Sequence, residues 1–178
     1  EDKFTRVRIR KLDNKLREVR TIFQDETNRY WFGTYESGIY ILENDLSGAI
    51  SLQSKTQNTL QIDANTLFDI KVIKNKYWLA TDNGVYVVSQ DDQITEHYQH
   101  NDSQPSIMAN EVRSIAEIDK SNIWLATSKG LSQINLFTGQ ITNHTKTTHP
   151  SSLSDNWILQ IYKDDNNTMW LGTNGGGV

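Results

Sequence analysis

The chain has no cysteine, two prolines and two methionines in 178 residues. Without cysteine there is no disulfide, no thiolate metal site and no cysteine nucleophile. The longest apolar stretches are four or five residues, far below the ~20 that a membrane-crossing helix needs. Glu1-Asp2-Lys3 is not the opening of a secretory signal. Net charge is also small: 18 basic residues against 22 acidic leave −4, which excludes the basic footprint of a nucleic-acid binder. Large apolar side chains are plentiful. Five Trp, seven Tyr and five Phe supply enough surface for a packed core and argue against disorder.

The aromatic residues are periodic. Trp31-Phe-Gly-Thr34, Trp78-Leu-Ala-Thr81, Trp124-Leu-Ala-Thr127 and Trp170-Leu-Gly-Thr173 follow one another at 47, 46 and 46 residues. A glycine follows each: Gly38, Gly84, Gly130 and Gly176. Ile22, Ile115 and Ile161 lie nine residues before the Trp and Ile70 lies eight before. Asp25, Asp119 and Asp164 precede three of the four. A period near 46 fixes the architecture before any local structure is assigned.

Each unit reads as four short strands. In the third, Val112-Arg-Ser-Ile-Ala-Glu-Ile118, Ile123-Trp-Leu-Ala-Thr127, Leu131-Ser-Gln-Ile-Asn-Leu136 and Gln140-Ile-Thr-Asn-His144 are separated by polar or glycine turns. Four strands per ~45 residues is the arithmetic of a β-propeller blade. One such sheet cannot bury its own faces, so units must stack. Trp31, Trp78, Trp124 and Trp170 are then the anchors between blades. The small residue two positions later lets the next sheet approach, and the glycine supplies a positive φ. The fold class expected is all-β, four-stranded antiparallel blades forming an incomplete slice of a larger propeller. Residues 1–16 read as the last strand of a preceding blade with a linker, residues 17–64, 65–109 and 110–155 as blades, and residues 156–178 as the first half of another. Phe4-Thr-Arg-Val-Arg-Ile-Arg10 is the leading strand, and the open edges would meet the remaining blades or a second copy of the chain.

The fourth unit, from Ser152-Leu-Ser-Asp-Asn156 through Trp170-Leu-Gly-Thr173 to Gly176, resembles the two-component regulator propeller repeat. The likeness extends over the four units from Val19 to Gly177. Asn28, Asn122 and Asn167 stand where the family has a first-turn glycine and tolerate left-handed geometry; the second unit has Lys74-Asn75-Lys76 and no Asp. The resemblance implies the sensor part of a periplasmic propeller, often seven-bladed, in a membrane-anchored receptor with a histidine kinase or similar output module.

Chemistry is sparse. No phosphate loop, zinc-protease helix or nucleophile elbow occurs, and neither a cofactor nor a metal is expected. His97 and His144 share a register on the outer strand, which favours structure over metal binding; His100 and His149 fall in inter-blade loops. The recurring Asp25, Asp119 and Asp164 suit bracing of a hairpin, since a catalytic acid is needed once and not once per blade. Six of the seven arginines lie at or before Arg29, which weakens a sialidase-like reaction. No catalytic residue is expected.

A binding role is easier to place. Propeller loops between blades and the turns from second to third strand share one face around the central channel. The turn residues Tyr35, Glu36, Asp82, Asn83, Ser128, Lys129 and Asn174 vary on a repeating frame, as a recognition surface requires. Their mostly neutral polar character suits hydroxyl-rich ligands, oligosaccharides among them. Trp157, outside the repeat register, is expected in the core, with a stacking platform as the alternative. The sequence thus favours a non-enzymatic sensing segment, with a propeller lyase or glycosidase and a passive protein scaffold as rivals.

Overall fold

The computed structural model describes residues 18–44, 50–54, 60 and 62–178; the leading strand expected at residues 4–10 lies outside them. Every regular element among the described residues is a strand. The first sheet comprises β1 (Val19–Gln24), β2 (Tyr30–Thr34), β3 (Ile39–Asn44) and β4 (Ile50–Ser54). The second holds β5 (Leu67–Ile73), β6 (Lys76–Thr81), β7 (Gly84–Val88) and β8 (Ile94–Tyr98). The third holds β9 (Val112–Glu117), β10 (Asn122–Thr127), β11 (Gly130–Asn135) and β12 (Ile141–His144), and β13 (Ile158–Lys163) pairs with β14 (Met169–Thr173). Each sheet is antiparallel with its strands in chain order. The first strands β1, β5, β9 and β13 neighbour one another from sheet to sheet, so they form the innermost row.

The core is layered between sheets. Because successive side chains point to opposite faces, Trp31, Ile39 and Ile41 leave the first sheet and meet Ile70, Tyr77 and Leu79 of the second. Trp78, Ala80, Val85 and Val87 leave its other face and meet Ile115, Ile123 and Leu125 of the third. A strand in the middle of such a stack is buried on both sides, which is why β7 reads Gly-Val-Tyr-Val-Val with no polar alternation. Trp31 is 0% exposed and Trp78 4%. Trp124 is partly buried against Ile158 and Ile161. Trp170 is 49% exposed, so the fourth anchor packs no following sheet among the described residues. Close approach is real at Gly33, where an added Cβ would lie 2.7 Å from the Leu67 carbonyl oxygen of the next sheet.

Three expectations need correction. Gly176 is not the turn glycine of the fourth unit. In the middle two units the threonine Oγ1 donates to the glycine carbonyl three residues on, Thr81 to Gly84 at 2.8 Å and Thr127 to Gly130 at 2.7 Å. In the outer two the turn is one residue longer, Thr34 to Gly38 and Thr173 to Gly177, and Gly177 shares the φ of 78° seen at Gly38. The Gly175-Gly-Gly177 run hid that register. Asn122 does not take the left-handed turn position held by Asn28 and Asn167, both at φ 62°. It already opens β10, where its amide donates to both Asp119 oxygens. Trp157 is 38% exposed and outside the core, because it precedes β13 on the loop side.

Candidate functional site

The end of the sheets that carries the second-to-third-strand turns is built from one hydrogen bond used four times. The first turn residue donates its N–H to the carbonyl of the residue that precedes the innermost strand. The pairs are Tyr35 to Glu18 (2.8 Å), Asp82 to Thr66 (3.2 Å), Ser128 to Glu111 (3.2 Å) and Asn174 to Trp157 (2.8 Å). Two residues further along, every innermost strand bulges. The pairing skips Arg20 between Val19 and Thr21, Phe68 between Leu67 and Asp69, Arg113 between Val112 and Ser114, and Leu159 between Ile158 and Gln160. A bulge re-aims the extra side chain and leaves it out of the ladder. Each unit therefore places three residues at this end of the innermost strands, which in a complete propeller is the mouth of the channel: Glu18, Arg20 and Tyr35; Thr66, Phe68 and Asp82, with Thr66 buried; Glu111, Arg113 and Ser128; Trp157, Leu159 and Asn174.

In the second and third units the residue after the bulge locks onto the next unit. Asp69 accepts from the Ile115 N–H at 3.0 Å and from the Ser114 hydroxyl. Ser114 Oγ in turn accepts from Gln160 Nε2 at 3.2 Å and the Ile161 N–H. The bulged side chains are held as well. Arg113 lies 4.4 Å from the Phe68 ring centroid and donates to Glu111, while Arg20 lies 5.1 Å from the Tyr35 ring and pairs with Glu18. Two guanidinium groups thus lie over aromatic rings and are paired with carboxylates.

The turn residues singled out from sequence divide into two sets. Asp82 accepts from the Asn65 and Thr66 N–H groups at 3.0 and 3.1 Å, bracing the link between sheets. Asn83 donates to the Asp63 carbonyl at 2.7 Å and accepts from Gln99 at 2.8 Å, so it also ties loop to sheet. Glu36 has a left-handed backbone at φ 56°, and its N–H donates to Thr66 Oγ1. Tyr35, Lys129 and Asn174 are exposed and Ser128 half-buried. The members missed from sequence are those on the innermost strands, Arg20, Phe68, Arg113 and Leu159, with Glu18, Thr66 and Glu111 before them; Trp157, the fourth of that set, is the residue the sequence offers as an alternative stacking platform. A signal for them existed: they stand two and four positions before the repeating Ile22, Ile70, Ile115 and Ile161, where Glu and Arg recur in the first and third units and the other two units differ.

The opposite end carries the aspartates. Asp25 Oδ1 accepts from the Thr27 and Arg29 N–H groups and Oδ2 from the Trp31 indole N–H at 2.9 Å. Asp164 does the same with Asn166, Thr168 and Trp170. Asp119 caps its turn through the Ser121 and Asn122 N–H groups, but the Trp124 indole donates to Gln133 instead, since Asp119 stands one residue closer to its Trp. Burial pushes the Asp25 carboxyl up, and the bonds from Trp31, Thr27 and Arg29 outweigh it to hold the pKa at about 2. His97 sits on outer strand β8, stacked 3.8 Å from Tyr86, with Nε2 donating to the Asn83 carbonyl at 2.8 Å. That is a structural role. Among the described residues no cluster of His, Asp or Glu is placed to hold a metal ion.

Residues 152–175 match the two component regulator propeller family. No curated protein matches the chain. Solved structures do. The extracellular domain assigned to the hybrid two component system BT4673 of B. thetaiotaomicron superposes with a TM-score of 0.67 at 22% identity, over 91% of this chain and 20% of that one. The corresponding domain of BT3049 from the same organism gives 0.64 at 21%, over 92% of this chain and 29% of that one. The WD40 β-propeller domain of Doa1 gives 0.56 at 13%, over 86% and 46%. At these identities the likeness is one of fold. The chain spans between a fifth and a half of these structures, as a slice of a propeller does.

Proposed function

We propose that this chain, whose fourth unit belongs to the two-component regulator propeller family and whose sheets are propeller blades, is a non-enzymatic sensing segment of a bacterial two-component-type receptor. The likeness to extracellular domains of hybrid two component systems supports a sensor placed in the periplasm, its parent anchored in the membrane and coupled to a kinase-type output.

The observation that carries the reading is the channel mouth. A backbone frame repeated four times presents three different sets of side chains, Glu and Arg in the first and third units, Thr and Phe in the second and Trp and Leu in the fourth, and such variation on a fixed scaffold is what recognition requires. The three recurring aspartates are committed to turns at the other end, which favours binding over hydrolysis. Paired Arg and Glu beside aromatic rings suit a hydroxyl-rich ligand, an oligosaccharide among them, because a carboxylate accepts from hydroxyls and a guanidinium donates to them. A signal follows only if that ligand prefers one of two arrangements of the receptor.

The test is an oligosaccharide array probed with the chain and with its Arg113→Ala and Trp157→Ala variants. Binding without cleavage, weakened at least tenfold by each variant, is the expected result. Cleavage products would establish an enzyme instead, and binding indifferent to both variants would remove the mouth as the site.

A further inference from the structure

The first two seams between sheets are closed differently at the end away from the channel mouth. Between the first and second sheets, Arg29 reaches across and its Nη1 lies 3.0 and 3.2 Å from the two Asp92 oxygens. Asp92 sits in the β7–β8 turn with a left-handed backbone, φ 62°. The equivalent left-handed position in the β11–β12 turn is Gly139, φ 71°, which has no side chain to offer. A Cβ built there would meet nothing within 4 Å. Lys76, in the register of Arg29, has no carboxylate to cross to. It folds back to Glu96 of its own sheet at 3.1 Å. Lys74 lies with its ammonium 3.7 Å from the Phe137 ring centroid, and Phe137 is 72% exposed.

A cleft of about 350 Å³ results at the second seam. Its walls are Phe137 on one side and Trp78 with the stacked Tyr98 on the other. Among its lining residues two lysines face one glutamate, and that glutamate is already engaged by Lys76 and by the Tyr98 hydroxyl. One positive charge is left over beside an aromatic wall.

We infer that the cleft between the second and third sheets binds a small apolar carboxylate, which supplies between Lys74 and Lys76 the charge that Asp92 supplies at the first seam. The body of the ligand packs between Phe137 and Trp78, and the volume is at the lower end of the range for small-molecule sites. This site is separate from the channel mouth, and its existence does not depend on the sensing role proposed above.

Titration of the chain with phenylacetate, followed by the Trp78 indole N–H resonance, tests it. Saturable binding is expected, at least tenfold weaker for the uncharged phenylacetamide and for Lys74→Met. Gly139→Asp places a tethered carboxylate in the cleft; it should abolish phenylacetate binding and raise the melting temperature. Arg113→Ala, at the mouth, should leave binding unchanged. Equal affinity for acid and amide, unaltered binding in Gly139→Asp, or no saturable shift at Trp78 would each overturn the inference. A Lys74→Met chain that failed to fold would leave the Gly139→Asp comparison to decide.

Discussion

The Asp25 carboxylate shows how one side chain can order a whole hairpin. It takes two backbone N–H groups, a hydroxyl, a guanidinium and the indole that anchors the next sheet, all at a position only 4% exposed. Its pKa of about 2 lies below the ordinary aspartate value of 3.8. A depressed carboxyl stabilises the fold above its unfolded pKa and loses that contribution as pH falls through the folded one. The amount at neutral pH is about 2 kcal/mol. Asp25→Asn should therefore unfold at lower urea near pH 7, with the gap to the native chain closing between about pH 4 and 2. Parallel stability curves across that window would show that the hydrogen bonds, and not the charge, matter. The repeating Asp was visible in sequence, but its bond to the indole was not, because six residues of separation say nothing about which atoms face each other across a hairpin.

At the scale of the element, the turn after each second strand decides how close two backbones come. Gly84 has φ 89°, and an added Cβ would stand 2.2 Å from the Tyr98 carbonyl oxygen. Both the dihedral and the space forbid a side chain. Gly139 has a similar φ of 71° but open surroundings. Gly84→Ala should cost well over about 1 kcal/mol, whereas Gly139→Ala should cost about 1 kcal/mol, the backbone strain alone. Thermal denaturation of the two variants checks this, and similar losses would refute the packing argument. Strand identity was legible from apolar runs and punctuating glycines; the third unit reads almost residue for residue as β9 to β12. The bulges were not legible. An extra residue in a strand has no compositional signature when it is Arg in two units, Phe in another and Leu in the last, so that these positions are bulges emerged only from the pairing register.

For the molecule as a whole, sheets contact their neighbours, and each seam carries its own stability as in other repeat proteins. The first seam adds a partly buried ion pair, Arg29 with Asp92, at 16% and 18% side-chain exposure, to the Trp31 layer. A double-mutant cycle on Arg29→Ala and Asp92→Ala should give a coupling of about 1–2 kcal/mol. A coupling near zero would mean that the apolar layer alone holds the first two sheets together.

The sequence by itself determined the number of strands per unit, the period and the residues that fill the layers between sheets, since burial and turn chemistry are written locally and repeat. Only the tertiary structure decided which glycine closes the last turn, which indole has an aspartate partner, which side chains crowd the channel mouth and which seam lacks a carboxylate. Those are properties of register and of proximity between units some 46 residues apart. A periodic sequence states that its units pack on one another, while the atoms that meet are settled by the sheets as they pack.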